Sequence, residues 1–236
     1  MDYKAFAQTF WQQGYLLIED FFEPVLMDEY ERLIVDHFGL DPDYLHNPEF
    51  LQKSATEVIP WFPQQEGITA FDVVANDDRL QQLTDAVLGE GWQSLYCMTM
   101  FSKQGSSGQA WHQDCAPEDP REFNLNRLCY SGNIDRQTGG QTLVVPGSHL
   151  LGEIPVGPGD EDFDGQSVLS PSKGSLVLLH GHTWHRVTPV TGKYRSSTNY
   201  RSMPKGTPQD ITDIAVYRNI RYRFSTNEVV ENRLLS

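Results

Sequence analysis

At 236 residues, with 39% hydrophobic and 11% aromatic content, the chain is long enough for one large packed domain, and no linker or internal repeat divides it. Its formal charge of −14, from 32 acidic against 18 basic side chains, disfavours nucleic acid, whose phosphates must be neutralised by Lys and Arg. Three cysteines without a C-x-x-C pair argue against a disulfide framework, and no segment approaches the ~20 apolar residues of a membrane span, so a cytoplasmic protein without a membrane partner is expected.

Residues 3–13 read as a short amphipathic helix carrying Phe6, Phe10 and Trp11, stopped by Gly14 before the strand "YLLI". A second helix is expected over 24–38, with Pro24 in its first turn and Val25, Leu26, Tyr30, Leu33, Ile34 and Phe38 along one face. A third covers 77–88. After residue 91 the pattern changes to short β-rich runs, "WQSLYCMTMF", "LCYSGNI", "QTLVVPGS", "GSLVLLHGHTWHRVTPV" and "KYRSSTNYRSM", separated by Gly, Pro, Asn and Asp. This predicts a sandwich or barrel flanked by N-terminal helices, in one domain over 1–236. The acidic Gly/Pro stretch "GEIPVGPGDEDFDG", 152–165, reads either as a functional lid or as a solvated loop.

The chemistry concentrates at two places. In "AWHQDC" His112 and Asp114 lie two apart in an extended stretch, so imidazole and carboxylate project from one face. About seventy residues later, "LLHGHTWHRV" supplies His180, His182 and His185, and any one of them would complete a two-histidine, one-carboxylate metal triad. Strand parity does not choose among them, because Gly181 makes a straight run doubtful. Further on, Arg195, Ser197, Asn199 and Arg201 alternate onto one strand face and present a guanidinium fork beside a hydroxyl, which suits a small carboxylate. Tyr96, Met98, Lys103, Gln109 and Trp111 are candidates for lining a pocket or for ordinary strand packing, Trp184 for the core, Pro146 to His149 for a turn, and 116–126 for a cap over the site.

The order His112-x-Asp114, "GGQTLVVPGSH" at 139–149, "HGHTWH" and Arg195 resembles the phytanoyl-CoA dioxygenase superfamily, and "FAQTFWQQGYLLIEDFF" is similar to that family's opening helix and strand. The resemblance implies a double-stranded β-helix, a cupin-like jelly roll. It implies iron(II) held by His112, Asp114 and His185, with 2-oxoglutarate and dioxygen as cosubstrates and Arg195, helped by Ser197, on the distal carboxylate. The implied activity is hydroxylation of a C–H bond in a small molecule with release of succinate and carbon dioxide. Retention of Asp114 sets the chain apart from related halogenases, where a small residue replaces the carboxylate. A cupin-like metalloenzyme independent of 2-oxoglutarate and a non-catalytic binding protein are the alternatives; Arg195 with Ser197 argues against the first and the complete triad against the second. Oligomeric state is not readable from the sequence.

Overall fold

The computed structural model describes residues 1–45 and 48–223 together with the pair Asn232–Arg233. Among these residues five α-helices lie at Tyr3–Gln13 (α1), Pro24–Phe38 (α2), Pro48–Ser54 (α3), Asp72–Ala75 (α4) and Asp78–Leu88 (α5). The strands are Tyr15–Ile18 (β1), Ile59–Trp61 (β2), Gln93–Lys103 (β3), Gln109–Gln113 (β4), Leu125–Cys129 (β5), Thr142–Val144 (β6) and Ser167–Leu169 (β7). They continue with Leu176–His180 (β8), His185–Val187 (β9), Tyr194–Met203 (β10), Ile214–Tyr217 (β11), Ile220–Arg223 (β12) and Asn232–Arg233 (β13).

These strands form two antiparallel sheets, one in the order β1-β8-β5-β10-β3-β2 and the other β13-β12-β11-β4-β9-β6-β7. From β3 to β11 the chain passes repeatedly from one sheet to the other, giving the expected jelly roll. No helix among the described residues is long and apolar enough to cross a membrane.

The near-continuous apolar runs of the sequence have a physical reason: the first sheet is covered on both faces. Leu176 and Leu178 of β8 and Leu125 and Cys129 of β5 pack toward the helices with Phe10, Phe21, Met27, Tyr30 and Phe71. Val177, Leu179 and Leu128 point the other way, toward the second sheet, with Tyr130 and Val144. The helix-side layer also buries Arg127, whose Nε donates to Tyr200 O at 2.7 Å and whose Nη1 donates to Thr84 Oγ1 at 3.2 Å. The thiols of Cys97, Cys115 and Cys129 are all free and buried.

Helix α1 is capped by the Asp2 side chain, which accepts from Ala5 N, and ends at Gly14 with φ 79°. Gly14 also permits a close approach. A Cβ there would lie 2.4 Å from Thr183 Oγ1, while the Gly14 carbonyl accepts from His180 N at 2.9 Å and Thr183 Oγ1 at 2.8 Å. The N-terminal unit is thereby fastened to the histidine-rich turn.

Loop 152–165 is a cover on the outer face of the second sheet. Ile154 is buried, Phe163 meets Trp111 edge-on with centroids 5.0 Å apart and packs on Trp184, and the Gly159 carbonyl accepts from Trp111 N at 2.8 Å. Arg218 secures it from β11–β12, donating to the carbonyls of Pro155 and Pro158 and lying over the Phe163 ring.

Candidate active site

Strand β4 carries His112, and the chain leaves the strand at Asp114, whose amide donates to Gly181 O at 2.8 Å. Strand β9 begins at His185 and pairs with β4 so that His112 and His185 are direct cross-strand partners. Their rings lie 4.1 Å apart between centroids, and both are buried. His112 Nε2 stands 3.5 Å from Asp114 Oδ1, and His185 Nε2 stands 3.6 Å from Asp114 Oδ2. Among the described residues this is the one group of three or more His, Cys, Asp or Glu side chains close enough together to hold a metal ion.

Backbone carbonyls orient both rings. His112 Nδ1 is 2.8 Å from Ala110 O and His185 Nδ1 is 2.8 Å from Thr183 O, so Nδ1–H donates in each ring and Nε2 is the atom turned toward Asp114. Burial, reinforced by His112 and opposed by Asp114, lowers the His185 pKa to about 4, which favours the neutral, ligand form. Burial acts to raise the Asp114 carboxyl, but Arg201, His185 and His112 outweigh it and hold the group well below the usual carboxylate range. Two imidazoles and one carboxylate, on adjoining positions, are the donor set of a facial triad for iron(II), so the residues present fit that metal.

The same cavity continues between the sheets. The second sheet contributes Gln109, His112, Thr142, His185 and Val187; the first contributes Met100, Asn126, Leu128, Leu179, Arg195, Asn199 and Arg201. Arg195 is buried, with Nε donating to Gly140 O at 2.8 Å and Nη1 to Ser197 Oγ at 3.4 Å. Two of its five N–H donors are thus used, and no carboxylate of the described residues lies within 4.0 Å of it. Gly140, at φ +64°, is what lets the arginine lie there, because a Cβ would come within 2.5 Å of Arg195 Cδ.

The other two histidines of "HGHTWH" are elsewhere. His180 ends β8 in the first sheet, stacks on Phe123 at 3.9 Å and accepts from His182 N at Nδ1, and the turn 181–184 then crosses to the second sheet. That crossing is why strand parity could not choose the ligand. Gly181 sits at its tightest point, where a Cβ would be 2.6 Å from Cys115 Sγ and 2.8 Å from Asn124 Oδ1.

Of the candidate lining residues, Gln109 reaches the cavity. Lys103 pairs with Asp41 at the surface, Trp111 packs on the outer face with Phe163, and the Tyr96 hydroxyl accepts from Arg201 Nη1 at 2.9 Å. Trp184 is buried beside Phe163, as expected of a core residue, and Ser148–Leu150 form a 3-10 turn after Gly147. Segment 116–126 does not cap the cavity: Phe123 packs on Trp11 and His180, and only its end, Asn126, lines the space. Asn126 and Thr142 carried no signal in the sequence, whereas Asn199 and Arg201 lay on the strand face already marked by Arg195 and Ser197.

No curated protein sequence matches the chain. Among solved structures it is similar to the non-heme alpha-ketoglutarate-dependent epimerase SnoN from nogalamycin biosynthesis, with TM-score 0.68 and 16% identity over 92% of this chain and 85% of that one. It is also similar to HygX from Streptomyces hygroscopicus with nickel, 2-oxoglutarate and hygromycin B bound, with TM-score 0.67 and 17% identity over 86% and 87%. EvdO2 from Micromonospora carbonacea var. aurantiaca gives TM-score 0.64 and 15% identity over 89% and 96%. At these identities the likeness is one of fold. The phytanoyl-CoA dioxygenase (PhyH) family matches residues 10–197, a span that contains His112, Asp114, His185, Arg195 and Ser197, and the chain belongs to that family.

Proposed function

We propose that the chain is an iron(II)- and 2-oxoglutarate-dependent oxygenase, a single cytoplasmic domain that hydroxylates a C–H bond of a small organic molecule. His112, Asp114 and His185 hold the metal through two Nε2 atoms and one carboxylate oxygen. Bound there, iron(II) with 2-oxoglutarate and dioxygen supplies the oxidation of an unactivated C–H bond, with release of succinate and carbon dioxide. Arg195 receives the distal carboxylate of 2-oxoglutarate with its unused N–H donors, and Ser197 fixes the guanidinium that does so. Asp114 stays ionised as a ligand, and Leu128, Leu179, Met100 and Val187 keep water from the reacting centre.

The observation that carries this reading is the meeting, in one cavity, of the His112, Asp114 and His185 group with a buried arginine that has no anionic partner among the described residues. The net charge of −14 is no obstacle, because the cavity itself holds two arginines against one carboxylate. The likeness in fold to SnoN, solved with nogalamycin RO, and to HygX, solved with hygromycin B, supports a small-molecule substrate, and the three buried free thiols support a reducing compartment. Anaerobic addition of iron(II) and then 2-oxoglutarate tests it: wild type should develop a visible charge-transfer absorption band, and His112→Ala should not. Iron binding without a band favours the 2-oxoglutarate-independent metalloenzyme; absence of iron binding favours a non-catalytic protein. Once a substrate is found, a product heavier by one oxygen atom supports hydroxylation, and one of unchanged mass supports epimerisation instead.

A further inference from the structure

The Asp114 carboxylate is held asymmetrically. Oδ2 accepts from Asn126 Nδ2 at 2.7 Å, lies 3.3 Å from Arg201 Nη2 and stands 3.6 Å from His185 Nε2, while Oδ1 stands 3.5 Å from His112 Nε2, so the asymmetry lies in the two donors on Oδ2. Asn126 has only one workable orientation. Its Oδ1 accepts from Asn199 Nδ2 at 2.7 Å and from Arg201 Nε at 2.8 Å, so a flipped amide would set its N–H groups against two donors and its oxygen against a carboxylate. Asn126, Asn199 and Arg201 are all buried, and all three come from the first sheet, whereas the metal-binding histidines come from the second.

We infer that Asn126, clamped by Asn199 and Arg201, is a positioning residue that occupies Oδ2 and leaves Oδ1 as the single carboxylate oxygen available to the metal. This rests on the reading of His112, Asp114 and His185 as the metal site. Its physical basis is that a carboxylate free to rotate offers either oxygen or both, whereas one tied by two donors at Oδ2 is pre-oriented for one bond. The network also joins the two sheets at the site, so the metal-binding geometry depends on a strand that contributes no ligand. Asn199 reaches Asp114 through Asn126, because the two hydrogen bonds its side chain makes are to Asn126 Oδ1 and, as acceptor, from Arg127 N.

The test is the dissociation constant for Mn(II), read from the free ion by electron paramagnetic resonance, with the thermal unfolding midpoint of the metal-free protein as a check on folding. Asn126→Ala should weaken Mn(II) binding by about 10- to 100-fold, the range for loss of a group that orients a ligand. Asn199→Ala should weaken it by a smaller factor. The double variant should bind no worse than Asn126→Ala alone, a non-additivity that two unrelated packing defects would not produce. If folded Asn126→Ala binds Mn(II) within twofold of wild type, or the double variant shows the product of the single losses, the inference is overturned. Should Asn126→Ala fail to fold, Asn199→Ala decides, and unchanged affinity there overturns it as well. Wild type that binds no Mn(II) removes the metal site itself, which separates failure of that reading from failure of this one.

Discussion

Replacing Arg195 by Met removes a buried charge while nearly preserving side-chain length and apolar volume. Arg195 is paired with a carbonyl and a hydroxyl, and no carboxylate of the described residues lies within 4.0 Å. A cation buried in this way costs free energy until an anion arrives, so Arg195→Met should leave the unfolding free energy of the free protein unchanged or raise it. Binding of 2-oxoglutarate should suffer. A charge-assisted hydrogen bond contributes about 1.5–3 kcal/mol, equivalent to roughly 10- to 150-fold in dissociation constant. Calorimetric titration of the Mn(II)-loaded protein with 2-oxoglutarate measures this without turnover. Mn(II) affinity itself should not move, since Arg195 makes no hydrogen bond or ion pair to His112, Asp114 or His185, the side chains proposed to hold the metal. A variant that binds 2-oxoglutarate within twofold of wild type would refute the assignment and make Arg195 a structural residue.

Gly140→Ala should imitate that loss without touching the arginine, because its Cβ would fall 2.5 Å from Arg195 Cδ at a backbone φ of +64°; unchanged 2-oxoglutarate affinity in a folded protein would contradict the placement. Acid should destabilise the metal-free protein. Burial holds His180 well below 6.5 and lowers His185 to about 4, so the unfolded chain takes up protons that the folded chain refuses, and stability is lost as pH falls through 6.5. Each of these two groups should cost about 1.4 kcal/mol between pH 7.5 and 5.5, measured by urea unfolding in 0.5 M salt to screen general repulsion; stability constant over that range would be the contrary result. Arg127→Ala should cost about 3 kcal/mol in the same assay, since it opens a cavity beneath α5 and strands the Tyr200 carbonyl; a loss under 1 kcal/mol would show that the site relaxes.

Much of this was legible because the relevant patterns are local. The helices expected at 3–13, 24–38 and 77–88 are Tyr3–Gln13, Pro24–Phe38 and Asp78–Leu88, each long enough to show its apolar period and each bounded by a cap, a proline or a glycine. Helices α3 and α4 were not foreseen, for seven and four residues are too few for a period to register. His112 and Asp114 were visible as neighbours on one strand, and Arg195 with Ser197 likewise. His185 was not separable from His180 and His182 by residue spacing, because the chain changes sheet between them; only the resemblance to a family pattern singled it out. Asn126 was hidden for a different reason: an asparagine in "FNLNRLCY" acquires its meaning from Asp114, Asn199 and Arg201, which come from two other segments of the chain.

Anomalous diffraction at the iron absorption edge, from crystals grown anaerobically with iron(II) and 2-oxoglutarate, tests the central claim most directly. The account predicts one strong peak bounded by His112 Nε2, His185 Nε2 and an Asp114 oxygen, with the distal carboxylate of 2-oxoglutarate on Arg195. Iron bound elsewhere, or 2-oxoglutarate seated away from Arg195, would contradict it.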